Sequence, residues 1–201
     1  MSRKGTLFVI SGPSGVGKGT IIPYVLNKVK RLKLSISATT RKARANEVDG
    51  VNYYFISREK FDEMVNNDEF YEYVNVLENS YGTPKKPVDD MLSKGYDVIL
   101  EIETIGAEKI MNEYKCVSIF ISPPSFSELK NRLVNRGTET EEQIALRMKK
   151  SEKEMNSVYS YDYVVINDDI NDCAEKIANI IKAERLKVKS SKAFINKIIN
   201  S

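Results

Sequence analysis

Residues 12–18 read Gly-Pro-Ser-Gly-Val-Gly-Lys, directly behind the apolar run Thr6-Leu7-Phe8-Val9-Ile10 and ahead of a helix-like stretch. A strand, a glycine-rich turn and a helix start in that order can cradle phosphate. The glycines let successive N–H groups point inward, and the helix N-terminus adds roughly half a positive charge. Lys18 adds a full charge that can follow a phosphate moving between two acceptors. The spacing G-x-x-x-x-G-K in this context predicts a nest made by Gly12, Pro13, Ser14, Gly15, Val16, Gly17, Lys18, Gly19 and Thr20. The position after the lysine, where a hydroxyl commonly reaches Mg²⁺, is Gly19, and Thr20 follows. Mg²⁺ would then be held mainly through phosphate oxygens and water, which suits its chemistry. Pro23 lies inside the expected helix and lacks the N–H that would bond to Gly19, so a local distortion is expected there.

The rest of the inventory narrows the chemistry. The chain of 201 residues has no histidine, which excludes Ser-His-Asp and Cys-His catalysis and histidine-ligated metals. Phosphoryl transfer remains, because its transition state asks chiefly for alignment and charge neutralisation. A net charge of +3 is too small for a general nucleic-acid coat. The two cysteines, Cys116 and Cys173, argue against a disulfide framework and point to a reducing cytoplasm. No apolar run approaches ~20 residues and no leader is expected, so no membrane association is foreseen.

Apolar runs at 7–10, 34–37, 98–102, 117–121 and 163–166 alternate with amphipathic stretches at 19–31, 84–94, 104–113, 125–136, 139–157 and 170–182. Continuous rather than alternating apolar runs suit a parallel sheet buried on both faces, so the fold class is α/β. Two segments break the alternation. Residues 38–83, with a strand-like piece at 52–55, read as a small α+β insertion. Residues 126–157 read as a charged helical hairpin, with Gly137 ending the first helix and Thr138 or Thr140 capping the second. Both would sit as lobes on the carboxyl edge of the sheet, where ligands bind. The core would comprise 1–37, 84–125 and 158–201 of a single domain, and the basic tail after Lys187 reads as a fraying amphipathic helix. Within the insertion, Arg41 and Arg44 with the hydroxyls of Ser37 and Tyr53 could bind a phosphate monoester, since arginine offers bidentate geometry for it.

Further motifs follow: Tyr71-Glu72-Tyr73, Tyr81-Gly82-Thr83-Pro84, Glu101-Ile102-Glu103, Arg136-Gly137-Thr138-Glu139-Thr140-Glu141-Glu142, and Tyr161-Asp162-Tyr163 leading to Asn167-Asp168-Asp169. With Ser37-Ala38-Thr39-Thr40-Arg41 and Glu47-Val48-Asp49-Gly50, they make the chain resemble the guanylate kinase family over nearly its whole length. The Gly-Lys-Gly-Thr variant of the phosphate loop is likewise similar to that of small-substrate nucleotide kinases. The resemblance implies a P-loop nucleoside-monophosphate-kinase fold that transfers phosphate from ATP to GMP in purine nucleotide metabolism, as a monomer or homodimer. It implies that Ser37, Arg41, Arg44, Tyr53 and Tyr81 hold the GMP phosphate and that Glu72, Thr83 and Glu103 read the base. Guanine presents N1–H and N2–H₂ donors side by side, which a carboxylate accepts, and Thr83 could donate to O6. Arg132, Arg136 and Arg147 would reach the ATP phosphates from the lid and share catalysis with Lys18 and Arg41, while Asn167 would lie near the adenine. Four positions depart from the family's usual residues: Ala43 for proline, Asn46 for glycine, Glu103 for aspartate and Ile105 for glutamine. All four fall on the GMP side, and the extra methylene of Glu103 gives about 1.5 Å more reach. Two other readings stay open: a P-loop kinase with another acceptor, such as a sugar phosphate, and a silent peptide-binding module on the same fold. The paired glutamates speak against the first, the intact phosphate loop against the second.

Overall fold

In the computed structural model, which describes residues 3–76, 78–135, 137 and 140–199, the apolar run before the phosphate loop is strand β1 (Leu7–Ser11), buried at every position. It is the centre of a five-stranded sheet with β2 (Leu32–Leu34), β7 (Asp97–Glu101), β8 (Val117–Ser122) and β9 (Tyr163–Ile166), in the order β2-β7-β1-β8-β9. Every pairing in it is parallel. Phe8 and Ile10 point to one face, packing with Ile22 and Val25 of α1 (Lys18–Lys28) and Ile177 and Ile181 of α7 (Ile170–Leu186). Leu7 and Val9 point to the other, packing with Val88 and Leu92 of α3 (Lys85–Ser93) and Ala107 and Ile110 of α4 (Thr104–Glu113). Helices on both faces explain why β1 carries no polar alternation.

The insertion is a second sheet of β3 (Ala38–Thr39), β4 (Tyr54–Phe55), β5 (Phe70–Val76) and β6 (Asn79–Pro84), ordered β4-β3-β6-β5. Helix α2 (Arg58–Asn66) closes it by stacking Phe61 on Phe70, ring centroids 4.6 Å apart. The hairpin consists of α5 (Phe126–Asn135) and α6 (Glu141–Met155). Gly137 follows α5 with φ 65°, and Thr140 caps α6 in a reciprocal box with Gln143. The basic tail forms α8 (Val188–Ile199).

Two expectations need revision. The second strand lies at 32–34 rather than 34–37, because the chain leaves the first sheet after Leu34 to feed the second. Ser37 O already accepts from Tyr54 N of the second sheet. As an edge strand with Lys33 exposed, β2 also lacks the continuous apolar signature. The helix of the α+β insertion, which the sequence reading leaves without a range, is α2: Ser57 accepts from Lys60 N as its N-cap, and Phe61 and Val65 share its inner face. Helix α1 runs unbroken across Pro23, whose ring sits on the exposed side.

At the amino end of the sheet one carboxylate ties three segments together. Asp97 is fully buried; Oδ1 accepts from Arg3 Nη2 at 2.6 Å and Thr6 N at 2.7 Å, and Oδ2 from Arg185 Nε at 2.7 Å. Removing it strands two guanidinium groups, which are 28% and 25% exposed and so can partly rehydrate. Asp97→Ala is therefore expected to lower unfolding free energy by about 3 kcal/mol, the low end for breaking a buried pair, in a denaturant titration. Catalytic parameters of the folded fraction should be unchanged, because the cluster lies at the opposite end of the strands from the phosphate loop.

Candidate functional site

The phosphate loop leaves the carboxyl end of β1 between β7 and β8, the crevice where open parallel sheets bind ligands. Gly17 is the N-cap of α1 at φ 99°, and a Cβ there would lie 2.9 Å from Asn167 Nδ2, so both backbone and space require glycine. Asn167 itself is buried, and its Nδ2 donates to Val16 O at 2.6 Å. It ties the phosphate loop to the end of β9, and its Oδ1 is buried without a partner. Lys18 starts α1 and folds back, donating from Nζ to Gly12 O at 2.6 Å. Burial pushes its pKa down, opposed by Glu101, Glu154 and Glu103.

Loop, helix start and the ends of β2 and β7 enclose a cleft of about 560 Å³, lined by Gly12, Ser14, Lys18, Thr20, Glu101 and Glu154 among others. A second cleft of about 350 Å³ runs into the insertion, lined by Glu72, Tyr81 and Gly106. Ser37, Tyr53, Glu101, Ile102 and Glu103 line both, so the two spaces share a wall.

In the second cleft, Glu72 is almost wholly buried, and burial pushes its pKa up. Thr83 Oγ1 donates to Glu72 Oε1 at 2.7 Å and is itself fully buried. That bond holds one oxygen of the Glu72 carboxylate in place. Glu72 Oε2 lies against Gly106, where a Cβ would approach to 2.7 Å of that oxygen and 3.2 Å of Cδ. Gly106→Ala is expected to displace the carboxylate and raise KM for the acceptor roughly tenfold, about 1.4 kcal/mol, with kcat little changed in steady-state kinetics.

The expected phosphate ligands are partly preassembled. Tyr53 and Tyr81 meet edge-on at 6.1 Å, and the Arg41 guanidinium lies 5.5 Å from the Tyr53 ring centroid. Arg41 is held in a fork by Glu47, with bonds of 2.9 and 2.8 Å, and also donates to Lys42 O. Those bonds hold Glu47's carboxyl down at about 2. The bonds to Glu47 and Lys42 engage three of the five guanidinium protons, and Tyr81 is a further partner of Arg41. Arg44 is exposed on the same loop, and its backbone N–H donates to Glu47 at 2.8 Å.

The lid helices reach the loop directly. Leu129 and Leu133 of α5 are fully buried and close on Gly15. From α6, Glu154 Oε2 accepts from Ser14 N at 3.1 Å, so a carboxylate already occupies one donor of the anion nest. Arg132 Nε donates to Glu128 at 3.1 Å; Arg147 lies on α6, and Arg136 and Thr138 fall outside the described residues. Glu101, Glu154 and Gly106 were missed from the sequence. Only Glu101 carried a signal, as an acid at the end of a strand beside the phosphate-loop strand.

A phosphate nest and a second, acid-lined cleft on one wall, under a helical hairpin, define a P-loop phosphotransferase with a separate acceptor site. The family model for guanylate kinase matches residues 4–184. A guanylate kinase of Clostridioides difficile is 50% identical over 96% of this chain and 95% of its own length. One of Caldanaerobacter subterraneus is 51% identical over 98% and 97%. The crystal structure of guanylate kinase from Anaplasma phagocytophilum has a TM-score of 0.74 at 37% identity, over 92% of this chain and 89% of that one. The chain belongs to the guanylate kinase family.

Proposed function

We propose that this chain transfers the γ-phosphoryl group of ATP in line to the 5′-phosphate of GMP, giving ADP and GDP. The observation that carries the reading is the common wall of the two clefts, with Lys18 on the donor side and Glu72 on the acceptor side. A phosphate monoester loses its second proton near pH ~6, so at neutral pH the attacking oxygen needs no general base. That agrees with a chain lacking histidine. The protein's task is then to bring two polyanions together. Lys18, Arg41, Arg44, Arg132, Arg136 and Arg147 would offset their repulsion, and seating of the hairpin would exclude water, so that ATP is not hydrolysed.

In the acceptor cleft, Ser37, Arg41, Arg44, Tyr53 and Tyr81 would hold the GMP phosphate, and Glu72 with Glu103 would accept from guanine N1–H and N2–H₂. Thr83 acts through Glu72, fixing its carboxylate. In the donor cleft, residues 12–20 would take the triphosphate, and Asn167 would keep the loop's shape. No cluster of three or more acidic, cysteine or histidine side chains among the described residues could hold a metal alone. The Thr20 hydroxyl and Glu101 carboxylate nevertheless line the donor cleft and fit a hydrated Mg²⁺ held through phosphates. Bound there, Mg²⁺ would neutralise charge on the transferring group. Action in the cytoplasm is part of the same proposal; no described helix is long and apolar enough to cross a membrane.

The test is coupled ADP release with ATP and, in turn, GMP, dGMP, AMP, UMP and CMP. Turnover confined to the guanine nucleotides is expected. Comparable rates with AMP, or peptide binding without any turnover, would overturn the reading.

A further inference from the structure

Helix α6 lines the donor cleft with Glu154 and reaches the wall shared by the two clefts through a bond to Glu103. Lys150 Nζ donates to Glu103 Oε2 at 2.9 Å and stands 3.7 Å from Glu154 Oε1, one turn further along the helix. Glu154 in turn accepts from the phosphate-loop N–H of Ser14. Lys150 is therefore the link from the lid helix to the wall between the clefts.

The pair is a poor candidate for a device that stabilises the fold. Both side chains are about half exposed, 46% and 50%, where ion pairs contribute little to folding. It matters more for the cleft. Glu72, Glu101 and Glu103 all line the space into which a phosphate-bearing ligand must enter. Three carboxylates there repel such a ligand unless cations balance them. Glu103 also has a long side chain that loses rotamer freedom when it faces a base. A lysine bonded to Oε2 lessens both penalties: it supplies charge, and it fixes the carboxylate while leaving Oε1 unblocked. The i,i+4 contact with Glu154 limits where the ammonium group can go, so the helix presents it in one place.

We propose that Lys150 is a positioning residue of the base subsite, holding Glu103 in the orientation that accepts from the purine edge. The proposal rests on Glu103 being a base reader, and the test separates the two claims. Steady-state kinetics are run on the full chain as wild type, Lys150→Met, Lys150→Arg, Glu103→Gln and the Met/Gln double variant, varying GMP and ATP separately. Lys150→Met should raise KM for GMP about fivefold, which corresponds to about 1 kcal/mol. Its kcat and its KM for ATP should stay within about twofold of wild type. Lys150→Arg should restore most of the loss. Glu103→Gln should raise KM for GMP by itself, and adding Lys150→Met to it should cost little more, because the interaction is already gone.

An unchanged KM for GMP in Lys150→Met, beside an effect of Glu103→Gln, would overturn the positioning role and leave the base-reading role standing. Equal rises in both KM values would also overturn it, since they would mean that Lys150 only seats the helix on the phosphate loop. Full additivity of the two substitutions would overturn it as well. A Glu103→Gln variant indistinguishable from wild type would remove the base-reading role and the proposal together.

Discussion

Replacing Lys18 with alanine is expected to lower kcat for GMP phosphorylation by roughly 10³-fold, the scale of losing a preorganised charge aimed at a transition state. The fold should survive. Lys18 is held against Gly12 O and Pro13 O in a setting whose desolvation lowers its pKa, so the folded chain accommodates this charge at a cost rather than gaining from it. Its removal should leave thermal unfolding unchanged or slightly raised. The loss should fall on kcat more than on KM for ATP, because the loop's backbone N–H groups still bind the triphosphate. A Lys18→Ala variant with near-normal turnover would contradict the assigned role. Lys18→Arg should not rescue, since a planar fork cannot take the place of a compact ammonium group tucked under the loop.

The second large effect is expected at Glu72. On the proposed reading its carboxylate would accept from two neighbouring donors of guanine, while Thr83 holds one of its oxygens and Gly106 leaves it room. In Glu72→Gln one oxygen becomes an NH₂ group. With its oxygen kept on the Thr83 proton, the amide turns NH₂ toward the base donors; turned the other way it serves the base only if the buried Thr83 hydroxyl reverses to accept. Losing a charge-assisted bond and leaving a buried donor opposed should lower kcat/KM for GMP by roughly 10²-fold. IMP, which lacks the 2-amino group, should lose less, so the preference for GMP over IMP should shrink. AMP should not become a good acceptor, because the surrounding wall remains acidic at Glu101 and Glu103. An unaltered GMP to IMP ratio in Glu72→Gln would place the base elsewhere.

The donor half of the site was legible because its chemistry is backbone chemistry. A glycine-rich turn between a buried strand and a helix allows few geometries, and the seven residues from Gly12 to Lys18 spell it out. The alternation of buried strands and amphipathic helices similarly announced the layered α/β core. What stayed hidden depends on long-range approach. The sequence does not show that β6 brings the Thr83 hydroxyl to Glu72 on β5 across an antiparallel pair. Nor does it show that Asn167 bonds to Val16 O, 151 positions away in the chain. Glu154 looks like any acid on a charged helix until the hairpin folds down and sets it against Ser14. The short strand β3 escaped for a local reason: its two residues are too few for a period to emerge.

On the proposed reading a triphosphate and a guanine monophosphate would face one another across the wall formed by Ser37, Tyr53 and residues 101–103. A crystal structure with GMP and a non-hydrolysable ATP analogue tests it most directly. The account predicts a Glu72 oxygen at about 2.8–3.0 Å from guanine N1 or N2, the Arg41 guanidinium on the GMP phosphate, and Lys18 turned from the Gly12 carbonyl onto the ATP phosphates. A base bound away from Glu72, with Arg41 and Lys18 still on their present partners, would contradict it.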